Sequence, residues 1–335
     1  IETKLIDKVS LLGYTSLGFF VLTFIILIFK EMIVFTILGF EKILPYFSKS
    51  SELINNERRE FLQKSLSVGV LTITAPSAVY GYYQSRKGPT VIEQEIKLGD
   101  KLPSSFNGLT IAQISDLHVG PTIKKGYVEN VVDKISRINP DMIVITGDLI
   151  DGSIRHLRND LAPLADLSAP HGVYFVTGNH EYYSGVDYCL DHVDKLGIRN
   201  LLNEHTLITK NKKNIVLAGV TDFKAGYIKR SHHSNPSLAI NGAPKELVKI
   251  LLAHQPNSIY DVHKAGVDLQ ISGHTHGGQF WPFTIPTGLA NAYLAGHYDH
   301  FGTQIYVNRG TGYWGPPLRL GVASEITLFR LINRK

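Results

Sequence analysis

Hydrophobic positions follow two different patterns along the 335-residue chain. Residues 10–29 form an uncharged run, SLLGYTSLGFFVLTFIILIF. A helix of this length is about long enough to cross the ~30 Å hydrocarbon core of a bilayer. From residue 109 onward the apolar runs are short, four to seven residues each, and end in glycine, aspartate, asparagine or histidine. The pattern therefore predicts a membrane segment followed by a region rich in buried strands.

Two further apolar runs follow the first. Residues 32–47, MIVFTILGFEKILPYF, are interrupted by a Glu–Lys pair, and this segment either returns across the bilayer or lies along its surface. Residues 65–83, SLSVGVLTITAPSAVYGYY, form the third run. We expect a membrane segment of two or three apolar helices and a basic linker, residues 1–88, ahead of a folded domain, residues 89–335.

The basic residues before the third run bear on its orientation. RREFLQK resembles a twin-arginine export signal, with Arg58 and Arg59 followed by Phe61 and Leu62, although an ordinary basic flank of a membrane helix has the same composition. By the positive-inside rule, residues 48–64 should be cytoplasmic and the folded domain should emerge outside. The amino-terminal lysines fit this topology if the second run spans the bilayer. The expected location is therefore a membrane, with the domain on its outer side.

Five short apolar runs have the length and composition of buried strands. They are contained in LTIAQISDLH, DMIVITGDLID, GVYFVTGNHE, KILLAHQP and VDLQISGHTH. Between the first two, IKKGYVENVVDKISRI places Tyr127, Val131, Val132 and Ile135 on one helical face. The order of strand, helix and strand predicts an α/β layered domain, in which the carboxyl ends of the strands carry the ligand site.

Each of these five runs ends in side chains that can bind a metal ion. Singly, an aspartate there is commonly a helix cap or turn residue, and a histidine is commonly a hydrogen-bonded structural group. Five strand ends that all carry such groups favour one shared metal site. The candidate donors are Asp116, His118, Asp148, Asn179, His180, His254, His274 and His276.

The donor chemistry narrows the kind of metal site. Oxygen and imidazole donors without sulfur suit Mn, Fe or Zn. The single cysteine, Cys189, excludes a thiolate cluster and an internal disulfide. Eight donors exceed what one tetrahedral ion uses, so we expect two divalent ions, the arrangement that activates water for phosphoryl displacement. The net charge of +5 comes without a basic arm, so nucleic acid is not an expected partner.

The strand ends resemble, in order, the five sequence blocks of the calcineurin-like metallophosphoesterases: DLH, GDLID, GNHE, the histidine of LAHQP, and GHTH. The later segments YVNRGTGYWGPPLRLG and SEITLF are more similar to a bacterial branch of membrane-anchored or twin-arginine-exported phosphodiesterases, near the UDP-2,3-diacylglucosamine pyrophosphatases. The resemblance covers roughly residues 105–332. It implies a four-layer αββα sandwich with a binuclear metal centre at its rim.

The resemblance also implies a role for each site residue. One ion would be bound by Asp116, His118 and His276, and the other by Asn179, His254 and His274. Asp148 would bridge the two ions. His180 would act as general acid and protonate the leaving oxygen, Asp151 would orient His180, and the nucleophile would be a hydroxide bridging the metals. We expect the two histidines of GHTH to leave an extended backbone on the same side. Gly152 stands where the protein-phosphatase branch carries an arginine, which argues against phosphoprotein substrates.

The expected function is that of a membrane-anchored phosphohydrolase that cleaves a phosphodiester or pyrophosphate bond, and the membrane anchor favours a lipid-linked substrate. One alternative is a cytoplasm-facing UDP-2,3-diacylglucosamine pyrophosphatase of lipid A synthesis, and another is a non-catalytic metal-binding membrane module. Phe280, Trp281 and Phe283 either present apolar surface to a lipid tail or the bilayer, or belong to the core. The sequence does not indicate an oligomeric state.

Overall fold

Two long helices form the amino-terminal part of the molecule. The structure is a computed structural model that describes residues 3–43 and 56–334. Its first two helices are α1 (Lys4–Ile43) and α2 (Asn56–Arg86). They run antiparallel, because the region of Thr15 faces that of Ala78, whereas the region of Lys30 faces that of Lys64.

Helix α1 continues through the second apolar run. Residues 32–43 extend it without a turn, instead of returning across the bilayer or forming a separate surface helix, and the rest of that run lies outside the described residues. Lys30 and Glu31 pair with each other at 3.0 Å and do not interrupt the helix. Among the described residues, Lys4–Ile37 is the one helical stretch long and apolar enough to cross a membrane.

The third apolar run lies in α2, and it is helical throughout. The backbone of the two arginines in the twin-arginine-like motif belongs to the first turn of this helix. Residues 44–55, which include the first part of the predicted cytoplasmic segment 48–64, lie outside the described residues. The side of the membrane therefore stays a prediction.

Twelve strands follow in the described part of the chain. They are β1 (Thr90–Lys97), β2 (Thr110–Ile114), β3 (Met142–Thr146), β4 (Val173–Val176), β5 (Arg199–Asn200), β6 (Glu204–Lys210), β7 (Lys213–Gly219), β8 (Lys249–Leu252), β9 (Leu269–Ser272), β10 (Gly296–His300), β11 (Thr303–Val307) and β12 (Glu325–Ile332). They form two six-stranded sheets, with the orders β1-β12-β2-β3-β4-β5 and β10-β11-β9-β8-β7-β6. Strands β2 to β5 are parallel in the first sheet, and β7, β8, β9 and β11 are parallel in the second.

The two sheets pack face to face and enclose the main apolar core. Val144 and Phe329 of the first sheet and Leu252 and Ile271 of the second are fully buried in one cluster. The outer faces are covered by helices, namely α3 (Lys125–Ile138), α4 (Ile154–Leu161) and α6 (Val186–Lys195) on the first sheet, and α8 (Pro236–Ala239) and α9 (Ile259–Lys264) on the second. The predicted αββα sandwich is confirmed, as is the buried face of α3.

Helix α1 is fastened to the sandwich at several points along its length. At its start, the Asp7 carboxylate lies 2.8 Å from the Lys124 amine and 3.1 Å from His156 Nε2. Further along, Ile25 is buried against Phe280 and Leu318 in a small apolar cluster. Phe29 and Trp281 stack with ring centroids 5.1 Å apart. The apolar helix thus lies against the folded domain over more than five turns.

Candidate metal centre

The first group of site residues gathers at the carboxyl ends of β2 and β9. Asp116 and His118 follow β2, and His276 follows β9. The Nε2 atoms of His118 and His276 are 3.0 Å apart, and Nε2 of His276 is 3.5 Å from a carboxylate oxygen of Asp116. All three side chains are buried, and one donor atom of each lies within 4.8 Å of the others. This spacing matches three ligands that point at a common ion.

A second group gathers at the ends of β3, β8 and β9. Nε2 of His254 lies 3.1 Å from Oδ2 of Asp148 and 3.2 Å from Nδ1 of His274. The other ring nitrogen of His254 is 2.8 Å from the carbonyl oxygen of Thr146, which orients Nε2 toward the site. Asn179 begins the short helix α5 (Asn179–Ser184), and its Oδ1 is buried with no hydrogen-bond partner among the described residues.

Asp148 lies between the two groups. Its Oδ2 is 3.1 Å from Nε2 of His254 and 3.8 Å from Nε2 of His118. Its other oxygen accepts the backbone N–H of His180 at 2.9 Å. One carboxylate oxygen therefore faces both clusters, as a shared ligand of two ions would.

The residues present fit divalent metal ions. The donors are carboxylate, amide oxygen and imidazole groups, which suit Mn, Fe or Zn. A buried carboxylate and an unpaired buried amide oxygen are costly in a protein interior unless a cation or donor satisfies them. Asn179 Oδ1 is such an atom, and a metal ion near Asp148 and His254 would satisfy it.

Burial and charge shape the protonation of the metal-free site. Burial alone would raise the pKa of Asp148, but the charge and hydrogen bond of His254 outweigh it and hold that pKa well below its usual range. Burial raises the pKa of Asp116 to about 6. Burial and then the charge of His254 lower the pKa of His274 to about 3, and burial also lowers that of His276. The last two imidazoles are thus neutral at pH 7, which is the form that binds metals.

The ligand loops have an unusual backbone. The residues with positive φ include five predicted metal ligands with φ of 50–73°, namely Asp116, His118, Asp148, His274 and His276. The left-handed region costs an L-residue about 1–2 kcal/mol. The expectation of an extended backbone in GHTH is wrong, because Thr275 between two left-handed residues is itself helical (φ −78°, ψ −19°). The sharp turn still brings both histidines to the site.

Two glycines allow the strands to approach one another at this edge. A Cβ at Gly178 would meet the backbone nitrogen and the carboxylate of Asp148. A Cβ at Gly273 would meet the Ser115 hydroxyl and the Asp116 carboxylate. Neither place has room for a side chain, so both glycines set the position of the neighbouring carboxylate.

His180 stands beside the two clusters. Its Nδ1 is 3.0 Å from Oδ1 of Asp151, and its Nε2 is 4.0 Å from Oδ2 of Asp148. Burial lowers the pKa of His180, but the hydrogen bond to Asp151 and the charge of Asp148 outweigh it, so the pKa is raised above its usual value. The rings of Tyr183 and Trp314 flank this imidazole, with centroids 5.3 and 5.9 Å away. Asp151 therefore stabilises the protonated form of His180 next to the metal-binding groups.

Glu181 is a structural residue that the sequence analysis did not single out. Its buried carboxylate accepts the backbone N–H groups of Asp148 (2.9 Å), Leu149 (2.8 Å) and Gly178 (2.6 Å). It thereby ties the loop after β3 to the loop after β4. The only sequence signal was its place directly after GNH.

The two carboxy-terminal arginines of the segment YVNRGTGYWGPPLRLG are engaged within the protein. Arg319 is buried and donates to the carbonyl oxygens of His276 (3.2 Å) and Arg309 (2.7 Å). The Arg309 guanidinium is 2.6 Å from the Glu325 carboxylate. Both side chains support the loop behind His276.

A cavity of about 620 Å³ adjoins the candidate centre. Its lining includes groups of the centre, among them Asp148, His180 and His276. The lining also includes Leu17 and Val21 of α1 together with apolar side chains of the domain, which are Phe280, Phe283, Trp314 and Pro316. The contribution of α1 to this cavity was not expected from the sequence.

Comparison with known proteins gives consistent results. A family model described as calcineurin-like phosphoesterase matches residues 109–278. A transmembrane protein with metallophosphoesterase domain from Danio rerio is 36% identical over 328 residues, covering 95% of this chain and 72% of the relative. A metallophosphoesterase from Helicobacter pylori is 37% identical over 294 residues, with 86% and 76% covered. The metallophosphoesterase YkuE from Bacillus subtilis is 31% identical over 288 residues, with 82% and 97% covered.

The family model spans half of the chain and includes every residue of the two clusters. The Danio rerio relative extends the similarity to 95% of the chain, and thus into the amino-terminal helices. An apolar helix of membrane-spanning length precedes the sandwich. The chain therefore belongs to the calcineurin-like metallophosphoesterases and is a metal-dependent phosphoesterase associated with a membrane.

Proposed function

We propose that the centre binds two divalent ions, chosen from Mn, Fe and Zn. The proposed ligands of one ion are Asp116, His118 and His276. The proposed ligands of the other ion are Asn179, His254 and His274. Asp148 is shared between the two ions. The position of one Asp148 oxygen, 3.1 Å from His254 and 3.8 Å from His118, is the observation that supports two ions over one. When bound, the ions supply Lewis acidity and an activated water molecule.

The proposed reaction is hydrolysis of a phosphodiester or pyrophosphate bond. His180 carries the proton that the leaving oxygen needs, and Asp151 keeps the ring protonated and oriented by accepting from Nδ1. Asp148 accepts the backbone N–H of His180 and so fixes its distance from the ligands. A purely structural metal site needs no such acid beside it, which favours an enzyme over a non-catalytic metal-binding module.

The substrate is proposed to be lipid-linked, because the cavity beside the centre has an apolar wall that includes part of α1. We further propose a membrane segment, residues 1–88, and a catalytic domain, residues 89–335, that faces the outer side of a bacterial inner membrane. An impermeant maleimide tests this orientation in intact cells carrying His297→Cys, since His297 is exposed and the native Cys189 is buried. Labelling only after cell lysis would place the domain in the cytoplasm.

Turnover of a bis-aryl phosphodiester and of an aryl pyrophosphate by the full chain in detergent, with and without Mn²⁺, tests the activity. We expect Mn²⁺-dependent hydrolysis that Asp148→Asn abolishes, because one substitution weakens both proposed ions. His297→Ala, a histidine on the exposed edge strand β10, is the control and should retain the rate. Full metal occupancy without turnover of either substrate would refute the proposal.

A further inference from the structure

We propose that α1 forms part of the active site as the wall of a subsite for a hydrocarbon chain. The subsite is the part of the cavity bounded by Leu17, Val21, Phe280, Phe283 and Pro316. Its ligand is an alkyl or acyl chain of a membrane phospholipid-type substrate whose phosphorus lies at the metal centre. This inference rests on the proposed phosphoesterase function and adds the element that selects the substrate.

The cavity is lined both by charged or metal-binding groups and by hydrocarbon side chains. Asp148, His180 and His276 face it from the domain, whereas Leu17 and Val21 face it from the helix. An amphiphilic phosphoester satisfies both sides, because its charged group meets the metals and its chain removes the apolar wall from water. A sugar phosphate or nucleotide would leave the side chains of Leu17 and Val21 in contact with water, and it would find no polar partner among the α1 residues that line the cavity.

The wall is held in place on both sides of the subsite. Toward the amino terminus, Asp7 pairs with Lys124 at 2.8 Å. Toward the carboxyl end, Ile25 is buried against Phe280, and Phe29 stacks on Trp281. Leu17 and Val21 lie between these attachments, so their position follows from the docking of the helix.

The same helix offers the chain a route from the bilayer. Next to Leu17 and Val21 on the same side of the helix, α1 exposes Phe20 and Phe24, and α10 (Thr284–Ala290) beside the cavity exposes Ile285 and Leu289. These side chains suit a lipid environment and would cost free energy in water. The cavity therefore borders the apolar surface of the molecule, and a lipid chain can enter it without crossing an aqueous gap.

A chain-length series tests the subsite. The full chain, purified in detergent with Mn²⁺, is assayed on monomeric p-nitrophenyl alkyl phosphates from ethyl to decyl. We expect kcat/KM to rise by roughly fourfold per methylene at the start of the series and then to level off when the subsite is filled. The double variant Leu17→Gln/Val21→Gln should lower the decyl-to-ethyl ratio of kcat/KM by about tenfold or more.

The matched control is Val9→Gln/Leu12→Gln. It makes the same two chemical changes on the same helix at positions that are 62% and 69% exposed, and it should keep the wild-type ratio. A flat series in the wild type that hydrolyses the ethyl substrate would overturn the subsite and leave the proposed function standing. An equal fall of the ratio in both double variants would also overturn it. Hydrolysis of no substrate would instead refute the proposed function.

Discussion

Replacement of Asp151 by asparagine isolates the acid role of His180. The substitution keeps the size of the side chain and its carbonyl oxygen but removes the negative charge that lies 3.0 Å from Nδ1 of His180. A hydrogen bond to a charged group is worth about 1.5–3 kcal/mol, and about 1.4 kcal/mol corresponds to one pH unit, so the pKa of His180 should fall by about 1–2 pH units. Because the acid works in its protonated form, activity is lost on the alkaline side at lower pH than in the wild type.

The assay is the pH dependence of kcat with saturating Mn²⁺ on a phosphodiester with a poor, alkyl leaving group. The alkaline limb of the variant should lie about 1–2 pH units below that of the wild type. At pH values above the variant's limb, its kcat should be on the order of tenfold or more below the wild-type value. The deficit should shrink for a nitrophenyl leaving group, which leaves without a proton.

The control for this prediction is Asp166→Asn, the same change at an exposed position that belongs to none of the candidate metal-binding groups. It should leave the alkaline limb unchanged. An alkaline limb that stays in place in Asp151→Asn, with normal metal content, would refute the pairing of Asp151 with a catalytic acid. So would an equal deficit for both leaving groups.

Three further predictions concern the construction of the centre. His276→Ala should lose metal and activity together, whereas His180→Ala should keep its metal and lose about 10²–10⁴ in kcat; elemental analysis beside the rate checks this, and equal metal loss in both variants would contradict the acid role. Glu181→Ala should lower the free energy of unfolding by about 3 kcal/mol or more, because each buried N–H left unpaired costs about 1–3 kcal/mol; thermal unfolding of the metal-free protein measures it, and a change in Tm no larger than that of a surface substitution would argue against the tie. Gly273→Ala should weaken Mn²⁺ binding because the new methyl group displaces the Asp116 carboxylate; a metal titration with wild-type affinity would show that the close packing there is not needed.

Much of the sandwich and of the candidate site was accessible from the sequence. Parallel strands end at one edge of a sheet, so polar residues that follow successive apolar runs must converge there. Asp116, Asp148 and His254 come together for this reason, although they lie on different strands and in both sheets. The helical face of α3 was accessible because its apolar spacing depends only on local geometry.

Other features depend on contacts that no local pattern encodes. Leu17 lies in a run that is apolar on every side, so nothing in the sequence distinguishes it from Leu12, which faces outward. The continuation of α1 beyond Glu31 was missed although the two apolar runs are separated only by Lys30 and Glu31, and both residue types are good helix formers. The left-handed turn at His274 could not be inferred from residue type, because only a few per cent of non-glycine residues adopt positive φ, even though histidine does so more often than most.

The five ligands with positive φ lower the folding stability of the metal-free protein. Together they represent on the order of 5 kcal/mol or more of backbone strain, against a typical stability of about 5–15 kcal/mol. Glycine at any of them would relax the fold while removing a donor. The backbone strain alone therefore favours replacement of these ligands by glycine, and the metal-dependent activity opposes it.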